Sequence, residues 1–353
     1  MTAAASRPVN PRLLALATAV PPFVLAQDDV AGFAQRLFAD TPEIHRLQPV
    51  FGNAGIDTRY SCVPLDWYDR QHDWEERNGL YLQNAVALLE KAAREALEIA
   101  GIAPQEVDAI VVNSTTGIAT PSLDAILIGK LGLRQDVRRL PIFGLGCAGG
   151  VLGLSRAVDM ARVAPGSKVL FLVVELCALC FRKGDLSKSA IVASALFGDG
   201  AAALVLSTDG DGPSFGASGE HTWPNSLEIM GWDVANDGLK ALFSRDIPRL
   251  VRQQLRDVVG RFLDRQGLGL SDIERFVCHP GGSKVLTALE EAFGLEGGAL
   301  VEGHSILRDY GNMSAATVLF VLKRTLESGA KGRMLMTALG PGFSAGFQML
   351  EAA

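Results

Sequence analysis

No stretch of this 353-residue chain holds the ~18 consecutive apolar residues of a membrane-spanning helix, so a helical span is not expected. The opening residues Met1 to Val9 lack the charged-then-apolar order of a secretory signal. The apolar run Leu13 to Val20 is short, stops at Pro21-Pro22, and reads as a first buried strand. There is no basic run and no aromatic motif of the RNA-binding kind, and the formal net charge is −6, so nucleic acid is not an expected partner. Cysteine is scarce: five residues, an odd number, with no secretion signal, which points to reduced thiols and a cytoplasmic protein.

What the chain does have is apolar bulk. Hydrophobic residues make up 48% and charged residues 20%, which suits a large, well-packed α/β core. At roughly 150 residues per domain, the length fits two domains or one large duplicated unit.

The segment Phe143-Gly144-Leu145-Gly146-Cys147-Ala148-Gly149-Gly150 carries the most information. An apolar lead-in stops at small residues, and a cysteine stands where a helix should begin. A thiol there meets the positive end of the helix dipole, which favours thiolate. The flanking glycines leave room for a substrate.

The chain also repeats itself. One helical pattern ends at Gly101, and Val107 to Val112 then reads as a strand stopping at Asn113. Another ends at Gly267, and Ile273 to Cys278 reads as a strand stopping at His279. Both glycine-to-strand-end separations are 12 residues. Cys147 follows Asn113 by 34 residues, and Asn312 follows His279 by 33. Each opens a small-residue helix, and a strand starts 22 residues later, at Val169 and at Met334. Gly-rich turns and further strands follow, Phe197 to Val205 and Pro341 to Met349. Two similar α/β halves are expected, residues 1–208 and 213–353, divided in the turn-forming run Ser207 to Pro213. Cys147 and Asn312 then hold equivalent helix starts, and a pseudo-twofold packing would bring them together with Asn113 and His279.

An activated thiolate can take an acyl group as a thioester, and a histidine within reach can keep it ionised. An asparagine amide or a histidine N–H can donate to a developing oxyanion. Cys147, His279 and Asn312 therefore suit acyl transfer. The same residue types also serve papain-like hydrolysis, in which the asparagine orients the histidine.

Five motifs in order separate the two. Gly146-Cys147-Ala148-Gly149-Gly150, Leu196 to Ala203, Cys278-His279-Pro280-Gly281-Gly282, Tyr310-Gly311-Asn312-Met313-Ser314 and Gly340-Pro341-Gly342-Phe343 together resemble the type III polyketide synthases, the chalcone synthase-like branch of the thiolase superfamily. The resemblance covers nearly the whole chain. It implies a five-layered αβαβα thiolase-like fold of two duplicated halves and a homodimer. It implies that Cys147 carries the starter acyl group and then the growing chain. His279 and Asn312 would hold the thioester carbonyl of malonyl-CoA while carbon dioxide leaves. Malonyl-CoA and acyl-CoA are the implied substrates, with no metal and no bound organic cofactor.

The resemblance also assigns lining residues. Phe197 falls at a gating aromatic between the CoA tunnel and the cavity. The position of a second gate aligns with Ala241, ahead of Arg245-Asp246-Ile247-Pro248, so that gate reads as reduced. Thr120 matches a residue lent across the dimer interface. Cys177 and Cys180 match cavity-lining threonines and read as lying on a strand. Ser314 and Trp232 complete the substrate side. The segments Met230-Gly231-Trp232-Asp233 and Trp74 to Asn78 resemble bacterial members that use long fatty acyl starters, which implies an alkylpyrone or alkylresorcinol product. On the CoA side Arg46 aligns with a phosphate-binding basic cluster, while Pro49 and Asn53 occupy its other positions, which leaves a carrier-protein-linked starter open; Gly281 is the other CoA-side residue. Gly198-Asp199-Gly200 reads as a tight turn, and Asp66 to Arg77 as a solvated helix face. Alternatives are a ketoacyl synthase III-like single condensation, a non-catalytic acyl-binding protein of the same fold, and a cysteine hydrolase.

Overall fold

The computed structural model describes residues 9–37, 49–185 and 187–353. The strands of the first half are β1 (Arg12–Ala19), β2 (Phe23–Ala26), β3 (Thr58–Ser61), β4 (Val107–Asn113), β5 (Arg138–Ile142), β6 (Lys168–Leu176) and β7 (Asp199–Ser207). Those of the second are β8 (Ser214–Thr222), β9 (Met230–Ala235), β10 (Gly238–Phe243), β11 (Arg275–Cys278), β12 (Gly332–Gly340) and β13 (Ser344–Ala352). The helices used below are α1 (Gln27–Leu37), α2 (Trp74–Ala100), α3 (Leu123–Leu131), α4 (Gly149–Val163), α5 (Lys188–Leu196), α6 (Arg256–Asp264), α7 (Ser283–Phe293) and α8 (Thr317–Glu327).

The strand order repeats. The first half runs β5-β4-β6-β7-β1 and the second β11-β12-β13-β8. Counted from β1 in the first half and from β8 in the second, the first strand is antiparallel to the next, that one is antiparallel to the third, and the third is parallel to the fourth. Among the described residues the two sets join at one register pair, Arg12 with Ser214, giving a nine-stranded sheet.

Alternation along the central strands builds five layers. In β6, Val169, Phe171 and Val173 face the middle layer, while Leu170, Leu172 and Val174 face α2 and α3. In β12, Met334 and Met336 face the middle layer and Leu335 and Leu339 face α6 and α7. The middle layer is α4 and α8, with Val151, Leu154, Val318 and Leu322 fully shielded. Strands covered on both faces have no polar face to show, which is why they read as continuous apolar runs.

The two middle helices start alike. A 3₁₀ turn, Gly146–Ala148, leads into α4, and another, Ser314–Ala316, leads into α8. They press on each other at their starts: a Cβ on Gly150 would sit 2.2 Å from the backbone oxygen of Ala315. Gly146 has φ +49°, and a Cβ there would meet Pro341 Cδ at 2.6 Å.

Three local expectations are corrected. Cys177–Cys180 is a 3₁₀ turn that follows β6, not part of a strand. Asp199 opens β7, and its buried carboxylate accepts the N–H groups of Cys62 and Ala178. The Asp66 to Arg77 stretch is not a solvated face: Tyr68, His72 and Arg77 are buried. Charge counting missed this because Arg77 finds partners inside, donating to the Leu179 and Phe181 carbonyls, with Trp67 stacked between it and His72.

Gly150→Ala is expected to lower stability by about 1–3 kcal/mol or more, because a rigid carbonyl blocks the methyl. Gly260, inside α6 with nothing within 4 Å of its Cβ position, supplies the contrast. Gly260→Ala should stabilise by about 0.5–1 kcal/mol. Thermal melts of the two variants check both signs.

Candidate active site

Cys147 lies in the 3₁₀ turn before α4 and is buried. Burial pushes its thiol up to about 12, and the nearby Glu175 adds to the rise, while a hydrogen bond with Ser314 works the other way. His279 follows the end of β11 and is buried as well. Burial takes its imidazole down to about 3, and neither ring nitrogen has a hydrogen-bond partner. The loss of water around each group favours its neutral form.

Asn312 precedes the 3₁₀ turn before α8. Its main chain is clamped on both sides of Phe197, with Asn312 N–H donating to the Leu196 carbonyl at 2.8 Å and Gly198 N–H to the Asn312 carbonyl at 3.0 Å. Its side-chain oxygen accepts Ser314 N–H at 2.8 Å, and its amide Nδ2 donates to the Gly281 carbonyl at 3.2 Å. The oxygen is therefore committed locally, while the amide nitrogen keeps a second N–H for a ligand. Gly281 N–H in turn donates to the His279 carbonyl at 3.0 Å. A continuous chain results: Cys147, Ser314, Asn312, Gly281, His279. Ser314 adopts φ +47°, a conformation rarely taken by a residue with a side chain, and it does so between Cys147 and Asn312.

Glu175 also belongs to the site. It is fully buried at the end of β6; one oxygen accepts Thr115 N–H and the Thr116 hydroxyl, and the other has no partner. Burial pushes its carboxyl up to about 8, so it is mostly protonated at neutral pH. Thr115 then accepts Gly146 N–H at 3.1 Å, tying this corner to the Cys147 turn. A single acidic residue in the otherwise apolar run Val169 to Leu176 was the sequence signal for it.

Cys177, Phe197 and Ala241 form a buried cluster with Trp232 and Phe243 packed on it. They close one side of a mainly apolar cavity with about 720 Å³ of empty space, its mouth included. Leu25, Val30, Phe33, Tyr68, Cys180 and Phe181 line its length. The 3₁₀ turn carrying Cys177 and Cys180 is held by buried polar groups: Asp199 on Ala178 N–H, Tyr68 hydroxyl on the Ala178 carbonyl, and Arg77 on the Leu179 and Phe181 carbonyls. Arg59, fully buried, donates to the Ser194, Ala195 and Phe197 carbonyls at the end of α5.

Residues 2–210 match the model of the chalcone and stilbene synthase N-terminal domain, and residues 217–349 match that of the C-terminal domain. The chain belongs to the chalcone and stilbene synthase family. It is a type III polyketide synthase, an acyltransferase. A putative chalcone synthase of Bacillus subtilis is 38% identical over 94% of this chain and 96% of its own. The 1,3,6,8-tetrahydroxynaphthalene synthase of Streptomyces peucetius is also 38% identical, over 96% and 92%. The crystal structure of the corresponding synthase of Streptomyces coelicolor superposes with a TM-score of 0.93 at 28% identity, covering 97% of this chain and 99% of that one.

In this polyketide synthase, Cys147, His279, Asn312, Ser314 and Gly281 fall on one hydrogen-bonded chain, and Cys177, Cys180, Phe197 and Ala241 fall on one cavity. Thr120 is exposed on the loop before α3 and lines none of this. Arg46 lies outside the described residues. Ala241 is buried, and beside it Trp232 and Phe243 bring their ring centroids to 5.8 and 5.5 Å from that of Phe197. Among the described residues there is no group of three or more His, Cys, Asp or Glu placed to hold a metal, and no helix long and apolar enough to cross a membrane.

Glu175 binds a proton in the folded state that the unfolded chain has released, so it lowers stability as pH rises from the ordinary glutamate range through 8. Glu175→Gln removes roughly 5 kcal/mol of that penalty at high pH. The variant's melting temperature is expected to fall less than the wild type's between pH 6 and 9. Asp199, pushed up to about 7 by burial, keeps part of the slope in both proteins.

Proposed function

We propose that Cys147 holds the acyl chain and that His279 and Asn312 generate the nucleophile that extends it. The chain of hydrogen bonds running from Cys147 through Ser314, Asn312 and Gly281 to His279 is the observation that carries this reading. The first half, residues 1–208, supplies the thiol; the second, residues 213–353, supplies both donors.

Loading moves one proton. Neither group holds charge alone in the dry pocket, so the thiol gives its proton to His279 as sulfur attacks the starter thioester. The proton passes on to the departing CoA thiolate, and a Cys147 thioester remains. For extension, malonyl-CoA places its thioester oxygen between the His279 N–H and the free Asn312 N–H. The bond to the carboxylate breaks, carbon dioxide leaves, and the electron pair becomes an enolate on that oxygen. An imidazole kept neutral by burial donates a hydrogen bond here without needing to be an acid. Each effective donor contributes about 3–4 kcal/mol to such a step. The enolate carbon attacks the Cys147 thioester, the bond from the acyl carbon to the Cys147 sulfur breaks, and the chain, two carbons longer, is left as a CoA thioester from which Cys147 is reloaded as in the first step. CoA thioesters are the substrates, and no bound cofactor takes part.

The apolar cavity beside Cys177 and Phe197 supports a medium- or long-chain acyl starter and an alkylpyrone or alkylresorcinol product. The family resemblance assigns Arg46 and Gly281 to CoA, with a carrier-protein thioester as the other source of the starter. The exposure of Thr120 supports a homodimer in which one copy lends this residue to its partner. A second reading is favoured by the tetrahydroxynaphthalene relative, whose product carries no alkyl chain: malonyl units alone would then prime the site.

Carbon dioxide release from malonyl-CoA tests the roles. Cys147→Ala should keep releasing it while making no extended product. Asn312→Ala should release it roughly 10²–10³-fold more slowly. Equal release in Asn312→Ala and wild type would sink the part given to Asn312. Product mass spectrometry across acetyl-, aromatic and octanoyl- to octadecanoyl-CoA starters decides the substrate; a preference for acetyl or aromatic starters, or pigment from malonyl-CoA alone, removes the long-chain reading.

A further inference from the structure

Charged side chains stand out on the wall of the apolar cavity: Arg182, Asp185 and Lys240 line it together with apolar residues and with Arg59, whose two terminal nitrogens donate to the Ser194, Ala195 and Phe197 carbonyls. Arg182 and Asp185 follow the 3₁₀ turn that bears Cys177 and Cys180. Lys240 belongs to the β9–β10 hairpin, as does Asp237 at its turn. The pairing is reciprocal. Arg182 grips Asp237 through two nitrogens, with Nε at 2.8 Å from Oδ2. Lys240 Nζ lies 3.8 Å from Asp185 Oδ2. Each side thus contributes one cation and one anion three positions apart, in opposite order.

Both sides of this clasp are anchored. Arg77 fixes the Leu179 and Phe181 carbonyls just ahead of Arg182, and Asp185 also accepts Ser187 N–H at 3.0 Å at the start of α5. The hairpin packs on the same arginine: Gly238, φ +139°, would place a Cβ 3.2 Å from Arg77 Cδ. The four charged side chains are part-exposed, whereas Cys177, Phe197 and Ala241, which line the same cavity, are buried. The cavity therefore has a dry wall at Cys177 and Phe197 and an ionic wall toward the surface.

We propose that the Arg182–Asp237 and Lys240–Asp185 pairs set the longest acyl starter this enzyme accepts. The inference rests on the acyl-cavity reading above and adds its upper limit. A tail that stops short stays among apolar side chains and gains from burial. A tail that reaches the clasp presses methylenes against part-hydrated ion pairs and strips their water, with nothing to replace it. Chains beyond that point are disfavoured without any steric block at the sulfur.

The test compares kcat/KM for octadecanoyl-CoA with that for octanoyl-CoA in one protein, a ratio that a general loss of activity leaves unmoved. Asp237→Ala with Lys240→Ala removes the hairpin's charges and leaves Arg182 and Asp185 free to neutralise each other. Its ratio is expected to rise roughly tenfold. Asp237→Lys with Lys240→Asp sets like charges face to face and should raise the ratio too. Adding Arg182→Asp and Asp185→Arg restores pairing in the reversed sense and should return the ratio to the wild-type value, which mere loosening of the hairpin would not do. An unchanged ratio in both double variants, or no return in the fourfold variant, overturns the clasp while leaving the acyl reading intact. A wild type that accepts no starter in the series overturns the acyl reading and the clasp with it.

Discussion

The carbonyl oxygen of Ala315 stands where a Cβ on Gly150 would have to be, and the site depends on that contact. Two helices can meet start to start this closely only when one offers bare backbone. The contact fixes the turn bearing Cys147 against the turn bearing Ser314 and Asn312. From there the hydrogen bonds continue to Gly281 and His279. A residue with any side chain at position 150 would push the nucleophile of one half away from the donors of the other. The duplicated fold supplies two equivalent helix starts, and glycine lets them share one chamber.

Dryness is the second property of that chamber. A thiol pushed up to about 12 and an imidazole brought down to about 3 are inert as separate groups. In the loading step proposed above, they exchange one proton across the reacting carbonyl. A neutral imidazole also donates a hydrogen bond to an enolate oxygen without quenching the carbon by proton transfer. Glu175, mostly protonated at neutral pH, adds no fixed negative charge beside the oxygen where charge must build up.

Much of this was legible in the sequence, for identifiable reasons. The matching separations from Gly101 to Asn113 and from Gly267 to His279 are set by helix, turn and strand geometry, so a duplicated fold leaves them in the chain. The glycines around Cys147 and Asn312 are readable because close backbone approach admits no other residue. What stayed hidden depends on partners distant in sequence. Arg77 looks like surface charge until the Leu179 and Phe181 carbonyls come to meet it. The charge state of Cys147 follows from water excluded by several elements at once, which no local motif records. The surroundings of Ala241 are hidden for a similar reason: Phe243 on its own strand and Trp232 on the neighbouring one meet Phe197 only in the fold.

The pairing of β1 bears on how the molecule comes into being. Arg12 to Ala19 lies against Ser207 to Ala201, so the first strand made has no neighbour until almost two hundred further residues exist. Its other edge meets residues that arrive just after: Arg12 pairs with Ser214, and Leu13 N–H donates to the Pro213 carbonyl. During synthesis the first half can close as a sheet once β7 emerges, with Cys147 already in its turn but facing no donors. Such long-range pairing is slow to form and leaves apolar strand edges open meanwhile. Cys147 is thus made 132 residues before His279 and 165 before Asn312, and the two parts of the proposed site meet only when the second half folds onto the first.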